Sequence, residues 1–185
     1  VPEAEGLAFL REKEAWLRGH LDRREASVPI RPGAELPVEG NMRVITAGRG
    51  RRVRLVEDRL EVPGDPEAMA SRVRGWLLAR ARDRLVEASY RYSTALGRPY
   101  SRITLRDTRS RWGSCTVDGG LMYSWRLILA PPAVLDYVAA HEVAHLRHMD
   151  HSAAFWDTVT DLYGDWTPQR RWLREHGAAL HRYQV

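Results

Sequence analysis

Cysteine is nearly absent. Cys115 stands alone, so no disulfide can form within the chain, and a reducing cytoplasm is the expected compartment. Lysine is nearly absent too: the 29 basic residues include one lysine, Lys13, which leaves 28 arginines. Long hydrophobic runs are missing. The longest candidate, LILAPPAVLDYVAA over 127–140, falls short of the ~18 residues of a spanning helix and is interrupted by Pro131 and Pro132. With 29% charged residues, this argues against a membrane protein. No heptad or apolar patch predicts an oligomer, and no low-complexity tract or internal repeat is present. The chain opens at Val1 with no secretory leader, and further residues are expected upstream.

What remains is an ordinary globular composition, 44% apolar over 185 residues. A domain of this length hides roughly 70% of its unfolded surface, enough for a real core. The net charge of +5 is carried almost wholly by arginine. Such a balance favours anionic partners, whether nucleic acid, nucleotide or acidic peptide. A GC-rich coding sequence would write the same excess with no partner at all.

Along the chain, residues 6 to 24 have the apolar spacing of an amphipathic helix, with Leu7, Leu10, Trp16 and Leu21 near one stripe. The stretch 27–40 is too rich in Pro and Gly to be helical throughout. From 41 to 62 the residues alternate as antiparallel strands would, with turns at 48–50 and 57–58. Asp65, Pro66 and Glu67 read as a helix start, and an Ala-, Leu- and Arg-rich helix should run to Gly97. RITLRD (102–107) predicts a strand, 108–120 a polar loop, and LMYSWRLILA (121–130) a second strand. A helix opened by Pro132 follows, then two more over 152–163 and 167–182. The layout is α+β, with 1–64 as an N-terminal helix-and-strand region and 65–185 as the domain carrying the chemistry, packed as one compact unit.

HEVAH, residues 141–145, puts His141 and His145 one turn apart on the same helix face, where both imidazoles can bind one cation. Glu142 projects near the same opening, placed to take a proton from water rather than to bind metal. Val138, Ala139, Val143, Ala144 and Leu146 make this a buried helix, where two histidines and a glutamate are costly without a purpose. A third ligand comes from His148 or His151. His148 lies about two turns from His141, roughly 10 Å along the axis, too far for bonds of ~2 Å to one zinc. His151 can reach back if the chain turns near 149–150, with Asp150 or Ser152 capping the next helix. His151 is therefore the expected ligand. His148 is left to support a ligand or to stand exposed near the helix end. The spacing also occurs in metzincins, but their glycine and Met-turn are not evident here.

RSRWGSC (109–115), WRLILAP (125–131), DYVAAHEVAHLRHMDHSAAFW (136–156) and WLREHG (172–177) together resemble the YgjP-like metallopeptidase family, a bacterial group related to SprT-like zincins. The likeness runs from Phe9 to His181. FLREKEAWL (9–17) resembles the helix that follows an N-terminal β-hairpin in that family, and the hairpin itself is expected upstream. The resemblance implies a zincin-like fold: a β-sheet with a long helix, an HExxH helix and C-terminal helices. It implies one zinc ion on His141, His145 and His151, with Glu142 as general base, and Asp150 standing where Asn is common. It leaves the substrate open, since a pyrophosphatase activity on UTP is also associated with the family.

Three neutral histidines leave a coordination position open, the mark of a catalytic site. Arg111, Tyr123 and Tyr163 are candidate donors to a developing oxyanion. Arg109 and Arg111 could bind a carboxylate or phosphate beside the cleft, or be ordinary solvated cations flanking a core Trp112. Ser114 or Cys115 as nucleophile would be redundant with activated water. The strand 121–130 is either mainly structural or an edge that pairs with an extended peptide. Trp156, Trp166 and Trp172 with Phe155 read as packing over the motif, and His176 and His181 as surface residues. The expected function is a zinc peptidase acting on a peptide or protein. A metal-dependent hydrolase of nucleoside triphosphates and a nucleic-acid-associated protease, as SprT-like relatives suggest, are the alternatives. The single cysteine excludes a zinc ribbon that would serve the last.

Overall fold

The structure is a computed structural model that describes residues 26–185. The helix expected over 6–24, and with it the family-like stretch 9–17, lies outside the described residues. The chain first builds a four-stranded sheet from β2 (Glu35–Val38), β3 (Asn41–Gly48), β4 (Arg54–Val56) and β5 (Arg59–Pro63), in the order β2-β3-β5-β4. Before it, β1 (Val28–Pro29) pairs in parallel with a late strand, β9 (Tyr183–Gln184). The β2–β3 hairpin turns through Glu39 and Gly40, both at positive φ (50° and 76°), the backbone sign that matches strand twist in two-residue turns.

The turn at 57–58 is where the sequence puts it, but the strand pairing is mixed rather than antiparallel throughout. β5 inserts between β3 and β4 and runs parallel to β3. Burial explains the order. Leu60 and Val62 of β5 are fully buried, whereas Arg54 and Val56 of β4 are exposed. The apolar strand takes the centre and the polar one the edge.

The long helix α1 (Met69–Leu96) covers this sheet. Met69, Val73, Leu77, Ala81, Leu85, Ala88, Tyr92 and Leu96 recur at three- or four-residue intervals and are all buried, one continuous stripe. A single 3-10 turn, Pro66–Ala68, precedes it. Gly97, at φ 69°, ends it in a left-handed cap with its N–H returned to Ser93 and Thr94 carbonyls. Residues on both sides of position 64 contribute to one core, Leu36 and Ile45 packing in the same cluster as Leu77 and Val143.

A second sheet has β8 (Gly120–Ser124) at its centre, parallel to β6 (Arg102–Arg106) and antiparallel to β7 (Gly113–Cys115). Two expectations change here. The loop over 108–120 contains the short edge strand β7. The strand expected over 121–130 ends at Ser124, because Trp125–Leu129 form a 3-10 helix. All five of those residues are buried, a continuous run that a period-two strand would not produce.

The buried helix α2 (Pro132–Ala144) follows, then α3 (Ala153–Tyr163) and α4 (Thr167–His176), which gives way to a 3-10 turn, Gly177–His181, before β9. Arg126 ties these late residues to the second sheet. Its Nε and Nη2 donate to both carboxylate oxygens of Asp107 (2.6 and 3.0 Å), and its Nη1 to the Leu180 and Tyr183 carbonyls (3.0 and 3.1 Å). Among the described residues, no helix is long and apolar enough to cross a membrane.

Candidate active site

The apolar face of α2 drives the helix into the core, and its last turn carries His141 and Glu142 to the end of the buried layer, with His145 as the closing residue. There the backbone leaves the helix. The Leu146 and Arg147 N–H groups bond three residues back instead of four, a tightening that ends α2. The Asp150 carboxylate accepts the Ser152 N–H (3.1 Å) and turns the chain back. His151 is thereby brought onto the other two histidines. The metal-binding atoms of His141, His145 and His151 all lie within 4.8 Å of one another, and Nε2 of His141 is 3.2 Å from Nε2 of His151.

Each ring is fixed differently. His145 donates from Nδ1 to the His148 carbonyl (2.8 Å), which leaves its Nε2 as the lone-pair nitrogen. The support from His148 thus comes from its backbone, not its imidazole. His141 is held by packing against Phe155, Trp156 and Tyr137, with ring centroids 4.9, 5.6 and 5.9 Å away. Its buried Nδ1 has no hydrogen-bond partner. Phe155, fully buried, lies 4.4–4.9 Å from all three imidazoles and forms the floor beneath them. Burial, with repulsion from His145, His151 and Arg170, holds His141 down to about 3. Burial also lowers His145, partly offset by its bond to the His148 carbonyl. Neutral imidazoles are the form a metal needs, so the residues present fit one ion.

Glu142 is 5% exposed, and burial pushes it up to about 8, with the Arg111 charge pulling the other way. The start of β7 presses on it: a Cβ added at Gly113 would sit 2.5 Å from Glu142 Cγ and Oε1. Only glycine lets the strand approach the carboxylate so closely. The need for glycine here is a contact across the fold. Trp112, one residue earlier, is wedged under Gly177, where an added Cβ would meet its Cζ2 at 2.8 Å, and its ring lies 5.5 Å from His181. His181 is accordingly half-buried rather than a surface residue.

The other candidate residues separate. Arg111 is exposed and acts electrostatically on Glu142, whereas Arg109, also exposed, acts on His181. Tyr123 must be withdrawn as a substrate contact. It is fully buried, and its hydroxyl is shared with Ser89 Oγ at 3.0 Å. The Tyr163 hydroxyl donates to the Ala133 carbonyl (2.9 Å), and its ring lies beside Tyr137 rather than against a histidine. The thiol of Cys115 is pushed up to about 11 by burial and by the charges of Glu142 and Asp118, so it stays protonated. Of the two roles open to the strand from residue 121, the structural one fits: β8 is central in its sheet, and β7 occupies an edge.

A stability test follows from Glu142. Its folded pKa is raised, so its contribution is fully present below the unfolded value near 4.5 and is lost as pH rises through about 8. In chelator-treated protein, Glu142→Gln is expected to be more stable than the parent at pH 8.5, by on the order of 3 kcal/mol. Urea melts at pH 8.5 and pH 5 should show that gap closing at the lower pH; an equal gap at both would contradict the burial account.

A family model described as YgjP-like, metallopeptidase domain, matches residues 1–176. No curated protein matches the chain. Among solved structures, the crystal structure of the metallopeptidase zymogen of Pyrococcus abyssi abylysin aligns with 18% identity and a TM-score of 0.45, covering 55% of this chain and 99% of that one. With HEVAH placed on its helix and the family match spanning nearly the whole sequence, the chain belongs to the YgjP-like metallopeptidase family.

Proposed function

We propose that the protein is a zinc-dependent peptidase, with one zinc ion on His141, His145 and His151 and with Glu142 as the general base. The observation that carries this is the convergence of three imidazoles next to the buried side chain of Glu142, beside the edge strand β7. Zinc, when bound, supplies Lewis acidity that polarises a carbonyl and acidifies water at the position the three histidines leave open. The protein does the rest. Glu142, held against Gly113 and kept ionised by the adjacent dication when one is bound, accepts a proton at its carboxylate and returns it to the leaving amine. The edge position of β7 suits it to pair with an extended peptide, and Arg111, whose charge acts on Glu142, helps orient the substrate. The arginine side chains 109 and 111 are the residues of this loop suited to a substrate carboxylate.

Hydrolysis of a nucleoside triphosphate draws support from the arginine surplus. Against it, the group among the described residues that could hold a metal contains no carboxylate, whereas triphosphate chemistry commonly uses Mg²⁺ on oxygen ligands. The test pairs metal counting with turnover. Zinc per chain should fall in His151→Ala and stay near one in His148→Ala. The zinc-loaded parent should cleave members of a broad peptide library and Glu142→Gln should not. Hydrolysis of UTP alone, equally sensitive to that substitution, would sink the peptidase reading.

A further inference from the structure

Three arginines near this helical layer are paired: Arg80 and Arg84 with Glu39, and Arg91 with Asp136. Arg126, beneath it, is held by Asp107. Arg170 is different. It is exposed, and among the described residues no carboxylate forms an ion pair with it. Its guanidinium carbon sits 5.0 Å from the Trp156 ring centroid and 5.6 Å from that of Trp166. Those two indoles stack on each other at 4.4 Å, so they form one aromatic wall. The wall abuts the histidine cluster, because the Trp156 centroid is 5.6 Å from His141 and 5.7 Å from His151.

We infer that Arg170, seated on the Trp156–Trp166 wall beside the three histidines, is a specificity-determining residue that binds a carboxylate of the substrate peptide. The inference rests on the peptidase reading of the same site. A guanidinium over indole faces is pre-oriented and partly dehydrated, which suits it to a planar carboxylate. A fixed cation beside a site meant for a dication is electrostatically costly, and the Arg170 guanidinium rests on the same Trp156 ring that lies 5.6 Å from His141. A substrate carboxylate placed at the wall relieves that repulsion.

The test uses the zinc-loaded Glu142→Gln protein, so that binding is read without turnover. Three peptides of one sequence are titrated against tryptophan fluorescence: blocked at both ends with Glu at a scanned position, blocked with Gln there, and the Gln form with a free C-terminal carboxylate. One carboxylate-bearing peptide should bind about fivefold tighter than the blocked Gln peptide at low salt, with the difference shrinking as salt is added. Which of the two does so identifies a side-chain or a terminal carboxylate. Adding Arg170→Glu should invert the preference, and Arg170→Lys should keep its sign. An unchanged preference in Arg170→Glu overturns the inference, as does failure of all three peptides to bind. Tighter binding of UTP than of any peptide, lost in Arg170→Glu, overturns it as well. Cleavage by the unmodified enzyme is scored separately: if no library peptide is cleaved, the peptidase reading fails on its own evidence.

Discussion

Gly113→Ala is expected to lower kcat for peptide cleavage by on the order of a hundredfold while leaving zinc occupancy near that of the parent. The added methyl would lie 2.5 Å from Glu142 Cγ and Oε1, a separation real carbons do not adopt. Something must move. The strand cannot easily retreat: β7 pairs with Tyr123 and its neighbours, the Ser124 N–H bonds to the Trp112 carbonyl at 2.8 Å, and Trp112 is wedged under Gly177. Glu142 yields instead by rotating its side chain, and a displacement of about 1 Å in a reacting group can cost roughly 10² in rate. The imidazoles are not involved, so metal binding separates this effect from general collapse. The double variant Gly113→Ala with Glu142→Asp should recover part of the rate, since the shorter acid withdraws from the new methyl. A single variant whose kcat stays within twofold of the parent would show that the contact does not position the carboxylate.

Arg126→Met is expected to destabilise the protein by about 3 kcal/mol, chiefly from leaving the buried Leu180 and Tyr183 carbonyls without their donor, and to lower Tm by roughly 10 °C. The substitution keeps the stem but removes donors to both Asp107 oxygens and to two carbonyls. Those carbonyls lie where water cannot readily replace the donors, and an unsatisfied buried acceptor costs about 1–3 kcal/mol. Asp107→Asn should cost less, because its side-chain oxygen still accepts one bond from the guanidinium. Thermal melts of both variants check this; Arg126→Met melting within two degrees of the parent would mean that the late residues are held by packing alone.

What the sequence revealed follows physical range. The stripe of α1 is legible because each apolar residue needs only partners three and four positions away. The meeting of His141, His145 and His151 is legible for the same reason, since the turn that joins them spans few residues. The strand order β3-β5-β4 is not, because it depends on which strand finds more apolar surface elsewhere. β7, three residues long with a glycine at its head, carries no period to detect. Tyr123 looked like a donor because its chemistry suits one, but whether a tyrosine faces the cleft or the helix behind it is decided by Ser89, 34 positions away. Gly113 and Phe155 acquire their roles only once α2 and α3 are docked.

The same difference of range has a kinetic side. The three histidines are neighbours across a loop of 10 positions, and closing so short a loop is fast. The start of β7 that shapes Glu142 leans on Trp112, which is wedged under Gly177, and Arg126 fastens the neighbouring late residues across a closure of 54 positions. Loop entropy must be overcome before such contacts reward it, which makes them late on a folding route. A refolding chain therefore regains its capacity to hold a metal before it regains the carboxylate geometry that uses it. The order in which the site matures is written into the separations along its chain.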